Sequence, residues 1–277
     1  DLYGPIPFTD FNKPGILKPT YDSQEVVYTG ILKMLDQADA LLASGTGAVP
    51  ASSDLLYGGN TAKWRKFANS LKFKALMRIS KAKNVSAELQ AVVNKGQMMS
   101  STSDSAQLAY LAAQPDANPI YETIVFGTRS EYKVSSVLVA KLQALNDPRL
   151  PVYAQRNNAN AYVGNVPGEQ NPGNYNGFSA FGTYYLRPIM PGVFLSYAQS
   201  QFLLAEAMNE GYVSGGTAGA LVEYKKAITS NFEFNGVASA APAYIALPNI
   251  EFAVKSEAKT KIAEQSWLAL FGQGFEA

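Results

Sequence analysis

Two apolar stripes at helical spacing, joined by a short glycine turn, constrain the fold of this chain more than any other feature. From Phe194 to about Asn209, the residues Leu195, Ala198, Phe202 and Ala205 recur on one face, and from about Thr217 to Asn231 Leu221, Tyr224 and Ile228 do the same. Apolar residues repeating at this period line one side of a helix and must be buried against a partner. The turn between them is Gly211-Tyr212-Val213-Ser214-Gly215-Gly216. Two helices of roughly 14 residues around a glycine turn make a hairpin of the ~34-residue tetratricopeptide (TPR) class. The likeness is geometric, because the strict consensus of that repeat is not met.

Further stripes extend the helical pattern. Asp22-Ser23-Gln24-Glu25 reads as a capping-box start, with Val27, Ile31, Leu35, Ala38 and Leu42 carrying a helix over about 23–43 until Gly45 and Gly47. Trp64, Phe67, Leu71 and Ala75, widened by Leu76 and Ile79, predict a helix over about 61–81, with Lys63, Arg65, Lys66, Lys72 and Lys74 mostly on its other side. Trp64 and Phe67 therefore read as core. Shorter helices are predicted at 86–95, ending on Gly96, and at 131–145, where Val134, Val137, Leu138, Leu142 and Leu145 precede Asn146-Asp147-Pro148. A last one spans 256–271 with Ile262, Gln265, Trp267, Leu268 and Phe271. No alternating strands and no βαβ rhythm are visible. The expected fold class is all-α for the most part: TPR-like helical hairpins with one long irregular excursion.

That excursion is residues 146–192. It holds Asn157, Asn158, Asn160, Asn165, Asn171, Asn174 and Asn176 among many Gly and Pro residues, interleaved with Tyr153, Tyr162, Tyr175, Phe178, Phe181, Tyr184 and Tyr185. Long loops in compact domains are functional or disordered, and this aromatic content argues for order. A short hairpin would fit within it. Tyr and Phe offer flat apolar faces that stack on sugar C–H groups, and Asn offers fixed polar groups for hydroxyls. Tyr162, Tyr175, Phe178, Tyr184 and Asn174 are the candidate ligand residues. The same residues also suit a structural part, with Asn and Gly forming turns and the rings pinning the loop.

Composition removes most chemistry. The 277 residues include no Cys and no His, so disulfides, thiolate nucleophiles, Ser–His pairs and the commonest metal ligands are absent. Net charge is +1 with no basic run, which leaves no electrostatic footprint for nucleic acid. Charged residues are 16%, below the ~25% of an average protein, so Ser, Asn, Gln, Thr and Gly must wet the surface, as in many secreted or cell-surface proteins. No run of ~20 apolar residues is present to span a bilayer. Glu206, Glu210 and Glu223 could be proposed as a glycosidase pair, but Glu206 and Glu210 lie one helical turn apart, a spacing common on solvated faces. Asp104, Asp116 and Glu169 are too scattered for calcium; only Asp147 with Glu169 stays open. Gly58-Gly59 and Gly215-Gly216 lack the lysine of a phosphate loop and read as turns.

Several segments, in order, resemble the SusD/RagB-like family of outer-membrane glycan-utilisation lipoproteins. They are Leu2-Tyr3-Gly4-Pro5-Ile6-Pro7-Phe8, Tyr21-Asp22-Ser23-Gln24-Glu25, Leu56-Tyr57-Gly58-Gly59-Asn60 and Lys63-Trp64-Arg65-Lys66-Phe67-Ala68-Asn69-Ser70-Leu71. Asp147-Pro148-Arg149-Leu150-Pro151-Val152-Tyr153-Ala154, Phe202-Leu203-Leu204-Ala205-Glu206-Ala207 and Glu264-Gln265-Ser266-Trp267-Leu268-Ala269-Leu270-Phe271 with Gly274-Phe275-Glu276-Ala277 complete the series. Gln199 and Ser266 depart from the Glu and Lys that the resemblance leads one to expect. The family's lipidated cysteine and first helices precede the point where this sequence starts, so residues 1–277 read as one SusD-like domain truncated at both ends. The resemblance implies a non-enzymatic protein without cofactor, lipid-anchored to the Gram-negative cell surface. It would capture a glycan, or in some members a peptide, for a SusC-like TonB-dependent transporter. A TPR-like structural adaptor without a small ligand is the alternative, and a carbohydrate-active enzyme ranks last.

Overall fold

A computed structural model describes residues 3–169 and 174–274. Asp1, Leu2, Asn171 and the closing Phe275-Glu276-Ala277 lie outside the described residues. The helices follow from their stripes and caps. Helix α1 (Gln24–Ser44) starts on Ser23, whose hydroxyl accepts the Val26 N–H. The expected capping acceptor Asp22 serves elsewhere: its carboxylate takes the N–H groups of Phe8 at 3.0 Å and Thr9 at 2.7 Å, tying down the proline-rich lead-in. Helix α2 (Thr61–Ile79) is capped by Asn60 through the Lys63 N–H. It packs along α1, with Asp39 of α1 accepting from Arg65 and Asn69. Trp64 and Phe67 are structural, as expected: the Trp64 indole N–H donates to Asp54 at 2.8 Å and its ring meets Tyr57 edge-on.

Helix α3 (Ser86–Lys95) ends where Gly96 adopts φ 65°. A three-residue strand β1 (Ala106–Leu108), a single turn α4 (Pro119–Tyr121) and a π-turn at Glu122–Phe126 lead to α5 (Ser136–Ala144) and α6 (Leu150–Tyr153). Helix α5 is shorter at its start than 131–145. Val134 donates its N–H to the Ser179 carbonyl at 3.0 Å, so it pairs with the excursion instead of coiling, and Ser135 then caps the helix through Leu138 N–H. Strand β2 (Gly192–Leu195) pairs antiparallel with β1 across a bulge at Ala106/Gln107. Phe194 and Leu195, expected at the start of a helix, belong to this strand; Ser196 caps α7 (Tyr197–Glu210).

Helices α7 and α8 (Gly216–Phe234) form the predicted TPR-like hairpin, and α9 (Ala241–Ile245) and α10 (Lys255–Ala269) close over it. Gly211 ends α7 at φ 83°, a left-handed conformation that glycine adopts without a Cβ penalty. Phe202, Ala205, Tyr224, Ile228 and Phe232 from the hairpin meet Ile262 and Ala269 of α10 in one core. A second core joins Phe73, Leu76 and Met77 of α2 to Leu89 and Val92 of α3 and Ala207 of α7.

A buried polar knot ties the excursion to this scaffold. Arg149, fully buried just before α6, donates to Asp147 (2.9 and 2.6 Å), to Asn231 of α8 (2.9 Å) and to Gln265 of α10 (2.6 Å). Tyr244 of α9 donates to the same Asp147 at 2.7 Å. Burial alone would favour neutral Arg149, but the bonds and charge of Asp147 outweigh it and hold the guanidinium protonated. Asp147 is thereby taken, which removes the option of a calcium site with Glu169.

Candidate ligand site

Backbone pairing folds the excursion into layers. Ala154 bridges Phe181, Lys133 bridges Ala180 and Ser135 bridges Asn165, in place of a local hairpin. Gly182 lies so close to α6 that a Cβ would sit 1.8 Å from the Val152 carbonyl, so no other residue fits there. Within this frame the Asn side chains build turns. Asn157 accepts from the N–H groups of Ala159 (3.0 Å) and Ala161 (2.9 Å) and donates to the Gly177 carbonyl (2.7 Å). Asn174 starts a 3₁₀ turn at Tyr175–Gly177 by accepting the Asn176 N–H. Fully buried Ser179 is bonded through its backbone N–H and its hydroxyl to Val163. Residues 157–163 and 174–179 thus form one surface.

The candidate residues divide on this geometry. Tyr162, Tyr175, Phe178 and Asn174 share that surface. Tyr175 is 37% exposed. Tyr162 and Phe178 are half-buried, and Tyr162 packs beside Val134 and Val139 with the Arg156 guanidinium 4.6 Å from its ring centre. Tyr184 stands apart: its hydroxyl donates to the Phe234 carbonyl at the end of α8 (2.5 Å), and Arg187 covers its ring at 3.9 Å. Tyr153, Tyr185 and Phe181 pack around Phe271 in the core, and burial pushes the Tyr153 hydroxyl up to about 12.

Glu206 and Glu210, set aside in the sequence as a glycosidase pair, lie one turn apart on α7, where their charges interact. Glu210 has Lys81, Lys255 and Lys259 within 3.9, 3.7 and 3.8 Å, and Glu223 pairs with Lys226 at 2.8 Å. The Glu206 carboxyl is raised above the usual range, first by the protein around it and then by Glu210. Among the described residues no cluster of three or more acidic side chains is placed to hold a metal, and no helix is long and apolar enough to cross a membrane.

Two grooves escaped the sequence reading. One, of about 590 Å³, runs between α8 and residues 101–103 and is lined by Tyr197, Lys225, Thr229 and Ile245. The other, of about 500 Å³, lies between α2, α7 and α10. Gln199 and Ser266, the two departures from the family pattern, both line this second groove. Its walls come from residues far apart in the chain, which no local pattern could bring together.

The family model for SusD-like proteins, described as starch-binding and associating with the outer membrane, matches residues 1–277. The chain belongs to the SusD-like family. Among solved SusD-like structures, a SusD homologue of Bacteroides fragilis is 27% identical with a TM-score of 0.84, covering 97% of this chain and 64% of that one. A SusD-like protein of Bacteroides thetaiotaomicron is 26% identical with a TM-score of 0.81, covering 99% and 63%. A chitin-binding SusD homologue of Flavobacterium johnsoniae is 26% identical with a TM-score of 0.82, covering 99% and 62%. This SusD-like chain thus spans less than two thirds of their length. No curated protein matches it. The mostly helical architecture with TPR-like hairpins is that of the SusD-like fold.

Proposed function

We propose that this SusD-like chain is the ligand-bearing part of a cell-surface glycan-binding protein. It takes up an oligosaccharide on the excursion and passes it to a SusC-like TonB-dependent transporter in the outer membrane. Membrane attachment would be through a lipid anchor. Function is binding without bond cleavage.

One observation carries this reading. The excursion presents Tyr162, Tyr175 and Phe178 on a surface whose turns are set by Asn157 and Asn174 and whose base is locked to the scaffold by Arg149. Turns fixed before a ligand arrives lose little backbone freedom on binding, which helps a low-charge surface gain affinity for a neutral sugar. The chitin-binding activity of the Flavobacterium homologue supports glycan as the ligand class.

The test is binding of soluble oligosaccharides and polysaccharides by affinity electrophoresis and calorimetry, comparing the wild type with a Tyr162→Ala/Tyr175→Ala/Phe178→Ala variant. Clear binding by the wild type, weakened in a variant that still melts cooperatively, is the expected result. Equal binding by both would remove the site from the excursion. No binding of any glycan would sink the glycan reading.

A further inference from the structure

The groove between α2, α7 and α10 has three properties that together define a ligand chemistry. At about 500 Å³ it lies inside the roughly 300–1,000 Å³ range of small-molecule sites. Its wall includes Gln199, only 6% exposed, whose Oε1 has no hydrogen-bond partner among the described residues. A buried amide carbonyl left unpaired carries a free-energy penalty that any incoming donor relieves. The terminal amide torsion of Gln is broad, so the oxygen can turn toward such a donor at little cost. The partly exposed Trp267 supplies an aromatic wall, and Ser266 beside it is small enough to leave the space open.

Charge narrows the class further. Glu210, on the same groove, is already approached by Lys81, Lys255 and Lys259, and Glu206 has Lys81, Lys259 and Arg78 as its opposite charges. Lys74, Arg78 and Lys259 line the groove beside the two carboxylates, so its charges answer one another and a charged ligand of either sign would have to displace one of them. What remains unmet is a neutral hydrogen-bond donor carrying an apolar face, and a sugar ring has both.

We propose that the α2–α7–α10 groove is a second binding site, for a neutral saccharide of a few rings. Gln199 Oε1 accepts from a sugar hydroxyl or acetamido N–H, and Trp267 forms the apolar wall. The site shares only its ligand class with the excursion reading and none of its residues.

The test uses the 277-residue chain with chitotetraose and maltotetraose as probes, read by calorimetry and by tryptophan fluorescence. Ala263 lines the groove from an exposed position on α10, so Ala263→Arg fills the space without entering the core. Gln199→Met removes the acceptor at similar volume, and Trp267→Phe assigns the fluorescence signal. The proposal expects A263R to weaken binding of at least one probe ten-fold or more and to abolish the fluorescence change. It expects Q199M to weaken that probe several-fold, and the excursion triple variant to keep the fluorescence change. Wild-type affinity and signal in a folded A263R would overturn it, as would failure of the wild type to bind either sugar. Loss in A263R with full binding by the triple variant would support this site and refute the excursion; the reverse pattern would do the opposite.

Discussion

The α7–α8 hairpin and the excursion are held together by different physics. In the hairpin, Phe202, Tyr224, Ile228 and Phe232 are buried in a continuous apolar seam, and the backbone satisfies itself within each helix. In the excursion the described residues hold only the four-residue α6 and a 3₁₀ turn at Tyr175–Gly177, which leave most of the backbone to be satisfied in other ways. Side chains such as Asn157 and Ser179 and the isolated bridges satisfy it instead, and Arg149, ion-paired with Asp147 inside the segment, joins it to the scaffold through Asn231 and Gln265. The apolar seam needs only residues of suitable size, whereas the polar frame needs particular atoms in place. The scaffold should therefore tolerate substitutions of similar size, whereas the excursion should respond to the loss of single polar atoms.

The sharpest way to break the comparison is at the joint. Arg149→Met leaves Asp147 buried without its cation and should cost about 3–5 kcal/mol in chemical denaturation. The double variant Asp147→Asn/Arg149→Met should recover part of that loss, because a buried uncompensated charge is no longer left behind. A smaller loss is expected at the α1–α2 seam. Burial opposes ionisation of Asp39, but the bonds from Lys95, Arg65 and Asn69 outweigh it and hold the carboxyl below its usual range. A depressed native value contributes stability that is complete above the unfolded carboxylate range near ~4 and is lost as pH falls through the native value. Melting curves of Asp39→Asn and the wild type should therefore differ most at neutral pH and converge in acid.

Within the excursion, Asn157→Ala removes three hydrogen bonds from one turn. The expected cost is local, about 1–3 kcal/mol for the groups left unpaired. It should appear as faster hydrogen exchange at 157–163 and 174–179, with the hairpin helices unchanged. The smallest stability effect should come from Tyr175→Ala: an exposed ring away from the core changes stability by within about 0.5 kcal/mol. A larger shift in its melting temperature would mean that Tyr175 is part of the frame and not of the binding surface.

The two regions also differ in how far the chain betrays them. The long helices are legible because their stripes repeat over many turns. Strand β1, three residues long, offers no period to detect, and Phe194 and Leu195 fit a helix stripe as well as the strand they occupy. The start of α5 was misplaced because Val134 is claimed by Ser179, which is remote in sequence. For the site, Asn and aromatic content marks the segment but not the role of each ring. Tyr184 and Tyr175 look alike in sequence. Only the Phe234 carbonyl, 50 residues away, makes one structural while the other stays at the surface. The α2–α7–α10 groove was invisible for the same reason, since Lys74, Gln199 and Trp267 converge only through packing.

Hydrogen exchange of the wild type with and without a bound oligosaccharide tests the division of labour most directly. The account predicts new protection at 157–163 and 174–179, while the core face of α8 exchanges as before. Unchanged exchange across both excursion segments, under saturating glycan, would contradict it.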